Sequence, residues 1–519
     1  MRESYDIAFV GAGISAAFTL QHFIALLEER PPATVIRIFV VEKSGEFWAG
    51  VPYGHRSGKA SLLISSLTEF LPMEAERTDF KEWLTHHYSR LLQHSADAGG
   101  PLASQWFRTH AEAIKAGDWD GLYLPRYLFG LYQHERMTAL VGRAEAKGLV
   151  ELTFSSSEVL DIERVGTLHQ LSLGSPEPAS ILAEKVILAV GSPPYSGAAQ
   201  FQSDEATDED SFIDNMYDPS LDANIQRICE RLEQSRNKQV LIIGSNASAL
   251  EALYSLSNSE RAMRLIEKII LLSPDAAFPH RIEAHEVPPT FCLKHLTALT
   301  EAGTITSADI LAAVRKDVAI GTAEKISITS LYGEISRRVI TALGRLDREE
   351  REKFVATDGV EIGKMQRRAG PEYLDVAQGL IARGTVDVRR GKFLKCVSRG
   401  AGDAGFEYRE AGGNGAKVVF CPSAVVISCA GFQEVTKASC ALLQNLVRRG
   451  ICVPNVSRRG FRMNADYEAS PDCHVIGPLV AGNILGNVSV WHAESCSRII
   501  QMSKRLAEIL TERILERVH

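Results

Sequence analysis

The sequence predicts an α/β chain made of two doubly wound units, the second inserted into the first. A strand-like run, Tyr5-Asp6-Ile7-Ala8-Phe9-Val10, enters the turn Gly11-Ala12-Gly13-Ile14-Ser15-Ala16. A second, Gln239-Val240-Leu241-Ile242-Ile243, enters Gly244-Ser245-Asn246-Ala247-Ser248-Ala249. Two more apolar runs close on a glycine: Lys185-Val186-Ile187-Leu188-Ala189-Val190 before Gly191, and Ala424-Val425-Val426-Ile427-Ser428-Cys429-Ala430 before Gly431. Turn and return therefore occur twice, one pair nested inside the other. Each turn reads as a buried parallel strand, a tight bend and a helix start, which presents backbone N–H groups to a pyrophosphate. Two such turns imply two dinucleotides, and a flavin with a nicotinamide is the usual pair.

In chain order, Gly11 allows the tight bend, Gly13 lets a phosphate approach the backbone, and Ala16 replaces the third glycine after Ser15. The next strand, Val35-Ile36-Arg37-Ile38-Phe39-Val40-Val41, ends in Glu42, an acid placed for an adenosine ribose, with Lys43 behind it. The spacing exceeds the usual one, and a helix extended to the Pro31-Pro32 stop absorbs the excess. The loop Gly45-Glu46-Phe47-Trp48-Ala49-Gly50-Val51-Pro52-Tyr53-Gly54 is too rich in glycine and aromatics for regular structure. It is expected to set Trp48, Val51 and Tyr53 beside FAD. A helical region from Thr78 to about 145 follows and contains Tyr123-Leu124-Pro125-Arg126-Tyr127-Leu128. Residues 149–174 alternate like a β-meander, and the return at Gly191 closes the first part of the FAD domain, 1–200. The acidic, serine-rich stretch Gln200 to Asn215 reads as a linker or lid.

The second turn carries Asn246 at the second glycine position, with Ser248 and Ala249 following as small residues. Asn tolerates left-handed backbone better than most residues, which keeps the turn plausible. The strand Lys268-Ile269-Ile270-Leu271-Leu272 ends in Ser273 rather than an acid. Nothing there repels a 2′-phosphate, and Arg281 with His280 lies a few residues on, so NADPH is favoured and NADH remains possible. This NAD(P) domain spans 216–420, with a helical insertion at about 285–382 that includes Leu346-Asp347-Arg348-Glu349-Glu350-Arg351-Glu352-Lys353-Phe354. Residues 421–519 return to the FAD domain.

Composition agrees: 519 residues, 45% hydrophobic and 23% charged, suffice for two or three domains. A net charge of −7 argues against nucleic acid or an anionic membrane as partner. Doublets such as Arg367-Arg368, Arg389-Arg390 and Arg448-Arg449 read as solvated faces. The N-terminus enters a strand at once, leaving no room for a signal peptide, and no apolar stretch approaches a membrane span. Nine cysteines lack CxxC or zinc-ligand spacing, which points to a cytoplasmic, metal-free protein and away from disulfide reductases. Cys421 and Cys429 read as core thiols.

The Gly-Ala-Gly-Ile-Ser-Ala turn, the loop around Trp48–Tyr53, and Leu62-Leu63-Ile64 before Asp79-Phe80-Lys81-Glu82-Trp83-Leu84 resemble the bacterial FAD/NAD(P)-binding family that includes FAD-dependent urate hydroxylase. So do the Leu346–Phe354 segment before Arg367-Arg368 and the ending Val475-Ile476-Gly477-Pro478-Leu479. The motif order is more distantly similar to class B flavin monooxygenases and amino-acid N-hydroxylases. It departs from the latter at 59–70, and Gly477-Pro478 stands where many flavoproteins have Gly-Asp next to the ribityl chain.

The resemblance implies that NAD(P)H reduces FAD, that O₂ forms a C4a-(hydro)peroxide, and that one oxygen passes to a small polar substrate, possibly nitrogen-bearing. The cofactor carries such chemistry, so no acid–base dyad is needed. In Asn483-Ile484-Leu485-Gly486-Asn487-Val488-Ser489-Val490-Trp491-His492, Trp491 is placed to wall the flavin and His492 to hydrogen-bond peroxide or substrate. Lys59, in Ser57-Gly58-Lys59-Ala60, is placed for an anionic substrate or the nicotinamide. Three readings stay open: a monooxygenase, a flavin reductase or dehydrogenase without oxygen transfer, and a non-catalytic nucleotide-sensing flavoprotein.

Overall fold

The computed structural model describes residues 4–516 apart from 92, 94–98, 175–178, 194–210, 284–286, 399–403, 412–416, 432 and 494. Its first strand, Ser4–Val10, pairs in parallel with Ile36–Val41 on one side and with the return strand Ala179–Leu188 on the other. Val150–Ser155 extends the sheet beyond Ile36–Val41, and Cys473–Val475 extends it beyond the return. Such strands are covered on both faces, which is why Ile7-Ala8-Phe9-Val10 reads as an unbroken apolar run, buried throughout. Helix Ile14–Glu29 packs along the C-terminal helix Cys496–Leu515. In the stretch 149–174, only Val159–Val165 and Leu168–Leu173 form the expected antiparallel hairpin, while Val150–Ser155 is a parallel strand.

The second sheet repeats this order. Gln239–Ile243 is central, with Lys268–Ser273 and the return strand Val425–Ser428 parallel on either side. Val386–Ser398 follows Lys268–Ser273, and Ala404–Glu410 and Val418–Pro422 continue it as an antiparallel meander. Phe212–Ile213 pairs with Val425–Ser428 at the other edge. That pair falls inside the acidic stretch Gln200–Asn215, whose part at 200–210 lies outside the described residues.

Parallel neighbours need a crossover, normally a helix. Between Lys268–Ser273 and Val386–Ser398 the crossover helix is Pro371–Ala382, which buries Tyr373, Leu374, Ala377 and Leu380 in the main core. The helices before it, including Ser307–Ala323 and Ile328–Leu343, enclose a separate core with Leu296, Ile310, Ile335 and Phe354. The stretch 285–382 therefore divides, its last helix belonging to the second sheet. Asp347 accepts from Glu350 N at 2.9 Å and starts the next charged helix at Arg348.

Candidate functional site

Both glycine turns lie at the carboxyl ends of their central strands and close against their own return strands. Gly11 has φ +91°, and a Cβ there would stand 2.6 Å from the Ala189 carbonyl oxygen. Gly244 has φ +114°, and the Cys429 carbonyl blocks its Cβ position in the same way. Only glycine fits either place. Gly13 (φ −80°, ψ −167°) and Asn246 (φ −92°, ψ −166°) then cap helices Ile14–Glu29 and Ala247–Ser257 in the same extended conformation. Asn246 thus needs no left-handed backbone, contrary to the sequence argument, and an extended residue carries a side chain without strain. Neither helix has a side-chain cap or an acidic residue in its first turn, so both positive ends are open to an anion.

The first turn faces a second backbone edge. A Cβ on Gly13 would lie 3.5 Å from Gly50 Cα, so two glycines meet without side chains between them. Above them Glu42 Oε2 accepts from Ala12 N at 3.0 Å, and Oε1 accepts from Ser44 N and Oγ at 3.1 and 2.8 Å. Gly477 (φ +87°) brings the C-terminal segment onto the same helix end, with Ser15 Oγ 2.7 Å from where its Cβ would stand. Ser503 Oγ donates to Ser15 O at 3.2 Å. Gln133, fully buried on helix Tyr127–Ala146, has neither amide atom bonded among the described residues. At the second turn Ser428 Oγ, beside Ile243, is buried and unpaired likewise. Two uncapped helix ends, with the Glu42 carboxylate beside the first and the unpaired Ser428 hydroxyl beside the second, fit FAD at the first turn and a nicotinamide dinucleotide at the second.

Sequence reasoning missed what joins the two units. Arg126, buried, donates through Nη1 to Glu251 Oε1 at 2.5 Å, and Tyr217 OH donates to Glu251 Oε2. Tyr373 OH accepts from Leu62 N at 2.7 Å and donates to Leu62 O at 3.0 Å. Arg56 Nε donates to Tyr217 O at 2.7 Å. Burial, together with the charge on Glu251, pushes the phenols of Tyr217 and Tyr373 well up, so both stay protonated donors. The available signal was Glu251 itself, a carboxylate inside the apolar run Ala249-Leu250-Glu251-Ala252-Leu253.

The predicted site residues separate into groups. Trp48 has φ +78° and donates from its N to Ala12 O at 2.6 Å, while its ring packs edge-on to Phe154 at 5.9 Å. Tyr53 packs its ring at a tilt against Phe70 and edge-on against Phe129, and Lys43 and Val51 are exposed. Gly191 has φ +75° with open space at its Cβ position, and Pro478 begins the short turn Pro478–Val480. Ser248 lies in the first turn of its helix.

Three expectations change. Trp491 sits in the core of the helical insertion, its ring 5.4 Å from Phe354 and edge-on to it, so it is a packing residue rather than a flavin wall. The hairpin before it is drawn to that insertion by Arg351, whose Nη2 donates to Asn487 O at 2.9 Å. Arg281 is committed to Asp375, with contacts at 2.5 and 3.2 Å, and is not free for a 2′-phosphate. Ser273 Oγ donates to Asp275 Oδ1 at 3.1 Å, so an acid does stand near that strand end. Arg390, exposed and in register with Ser273, is the basic group beside it, held by Pro274 O at 3.1 Å. Lys59 is exposed at a separate cavity. His492 keeps Nδ1 unpaired among the described residues, and burial beside Arg498 and Arg459 pushes its pKa down to about 3, so it is neutral.

A protein-family profile described as FAD-NAD(P)-binding matches residues 8–193. The "Uncharacterized protein Rv3403c" of Mycobacterium tuberculosis (strain ATCC 25618 / H37Rv) is 32% identical over 515 residues, covering 98% of this chain and 95% of the relative. The "Uncharacterized protein Mb3437c" of Mycobacterium bovis matches to the same extent, 32% over 515 residues. Among solved structures, the reduced form of ornithine hydroxylase (PvdA) from Pseudomonas aeruginosa superposes with a TM-score of 0.53 at 13% identity, covering 98% of this chain and 99% of that one. The Kutzneria sp. 744 ornithine N-hydroxylase, with reduced FAD, NADP⁺ and L-ornithine, gives a TM-score of 0.50 at 13% identity, covering 99% and 100%. These structures share the fold of the chain along its whole length. No helix among the described residues is long and apolar enough to cross a membrane.

Proposed function

Because the chain belongs to an FAD/NAD(P)-binding flavoprotein family shared with the two mycobacterial proteins, we propose that it is an NAD(P)H-driven, FAD-dependent monooxygenase. Its substrate is a small, polar, nitrogen-bearing molecule that takes up one oxygen atom. The observation that carries this reading is the repeated turn geometry at Gly11–Gly13 and Gly244–Asn246. It occurs in a chain whose fold matches two ornithine hydroxylases end to end, which supports the reading by fold-level analogy.

Gly11, Gly13, Ser15 and Ala16 would hold the FAD pyrophosphate, Glu42 its ribose, and Gly477-Pro478 the segment towards the ring. Gly244, Asn246 and Ser248 would hold the nicotinamide nucleotide. When bound, the flavin supplies hydride acceptance and activation of O₂. The residues of the chain bind, orient and exclude water. The Arg126–Glu251 pair with Tyr217 and Tyr373 keeps the two nucleotide units in a fixed relation. His492, neutral and with a free ring nitrogen among the described residues, exchanges a hydrogen bond with the substrate without adding charge.

A dithiol route has no support at the turns. Among the described residues a thiol pair in contact, Cys452 with Cys473, lies at the amino end of Cys473–Val475, and ligands bind at the carboxyl ends of such strands. The test is to supply the FAD-loaded protein with NADPH, oxygen-18 gas and a panel of small primary amines, and to follow product mass. A labelled oxygen in one product is the expected result. Consumption of NADPH with no labelled product from any amine would identify a reductase instead.

A further inference from the structure

Away from both glycine turns, a cavity of about 360 Å³ opens at the seam between the two units. One wall is the segment Gly58-Lys59-Ala60 of the FAD unit. The other is formed by helix Leu221–Gln234 and the C-terminal end of helix Ala247–Ser257. Ser255 lies nine residues along from Asn246, about 14 Å at the helical rise, so the cavity is not part of the nucleotide turn.

Most polar groups around it are already committed. Arg261 is held by Glu233 at 3.0 and 2.9 Å, and Asn258 Oδ1 accepts from Leu102 N and Ala103 N at 2.9 and 3.3 Å. Three groups are not. The Lys59 ammonium and the Asp222 carboxylate, both lining the cavity, have no ion pair among the described residues. Both side chains are exposed at the mouth of this one cavity, and Asp222 Oδ1 lies 3.3 Å from where a Cβ on Gly58 would stand, which brings the Asp222 carboxylate against the Gly58-Lys59-Ala60 wall. The third is Ser255, 5% exposed, whose hydroxyl has no hydrogen-bond partner among the described residues. A buried hydroxyl left unpaired is costly unless something binds it.

We infer that this seam cavity is a binding site for a free α-amino acid, separate from the flavin face. Lys59 takes the carboxylate, Asp222 takes the ammonium, and Ser255 bonds a polar side chain. Two opposite, uncommitted charges at one cavity select a zwitterion over a simple anion or cation, because either half-ligand leaves one charge unmatched. The volume lies within the range of small-molecule sites. Both units contribute walls, so occupancy tightens the seam.

The test uses the FAD-loaded full chain and the twenty amino acids as probes in a thermal-shift screen, followed by calorimetry. Butyrate and butylamine serve as half-ligands. At least one amino acid is expected to raise the melting temperature, and both half-ligands are expected to bind at least about tenfold more weakly than it does. Lys59→Met and Asp222→Asn should each weaken that amino acid about tenfold or more, and Ser255→Ala should weaken a polar amino acid selectively. The inference does not rest on oxygen transfer, and binding at the flavin face would be insensitive to Asp222→Asn. It is overturned if no amino acid binds, if a half-ligand binds equally well, or if Lys59→Met and Asp222→Asn bind the amino acid like the wild type.

Discussion

Arg126 Nη1 lies 2.5 Å from Glu251 Oε1, and this buried contact joins the start of helix Tyr127–Ala146 to helix Ala247–Ser257, which begins at the second glycine turn. Removing one partner leaves the other charge in a site too dry to solvate it. Glu251→Ala should therefore cost about 3–5 kcal/mol of stability. The double change Arg126→Met with Glu251→Leu, which removes both charges, should cost much less. Denaturant unfolding of the three proteins measures this, and equal losses would mean that the pair adds nothing beyond its packing.

The flavin turn gives a size-graded prediction. A Cβ on Gly13 meets Gly50 at 3.5 Å, an ordinary contact, whereas longer side chains must enter the groove. Gly13→Ala should purify with FAD and Gly13→Leu without it, read from the visible spectrum. Stoichiometric FAD in the leucine variant would sink the assignment of residues 11–16.

Those parts of the fold set by local chain chemistry were legible in the sequence. The turns at Gly11 and Gly244, the returns at Gly191 and Gly431, and the apolar runs between them stand where strand periodicity and glycine put them. Long-range partners were not legible. Nothing near Arg281 in the chain announces Asp375, and Trp491 finds Phe354 only once the helical insertion folds back on the C-terminal hairpin. Asn246 caps its helix in an extended rather than a left-handed conformation, a difference that local sequence does not encode.

The choice of coenzyme moves from Arg281 to Arg390. Arg281→Ala should change the Michaelis constants for NADPH and NADH alike, since its guanidinium serves Asp375. Arg390→Ala should raise the constant for NADPH roughly ten- to a hundredfold, the worth of one charge-assisted contact, and leave NADH nearly untouched. Steady-state kinetics with both coenzymes decides, and a selective loss of NADPH in Arg281→Ala would make Arg281 the 2′-phosphate ligand.

Two histidines, His474 fully buried and His492 half-buried, set an acid limit. Burial pushes His474 down to about 4 and His492 down to about 3, from an ordinary 6.5. Both bind fewer protons folded than unfolded, so their contribution is fully present above 6.5 and is lost as the pH falls towards 4 and 3. Each titrating group adds a slope of about 1.4 kcal/mol per pH unit in that window. His474→Gln with His492→Gln should flatten the fall in melting temperature on acidification. An unchanged slope would show that neither histidine is held neutral.

Whether oxygen is transferred or only reduced is tested most directly by the hydrogen peroxide released per NADPH oxidised under air, with and without each amine of the panel. In the absence of substrate, peroxide released and NADPH oxidised should be equimolar. One amine should drive the ratio well below equality while an oxygenated product accumulates in the missing proportion. A ratio that stays at equality with every amine, or NADPH oxidation that needs another electron acceptor and ignores O₂, would contradict oxygen transfer.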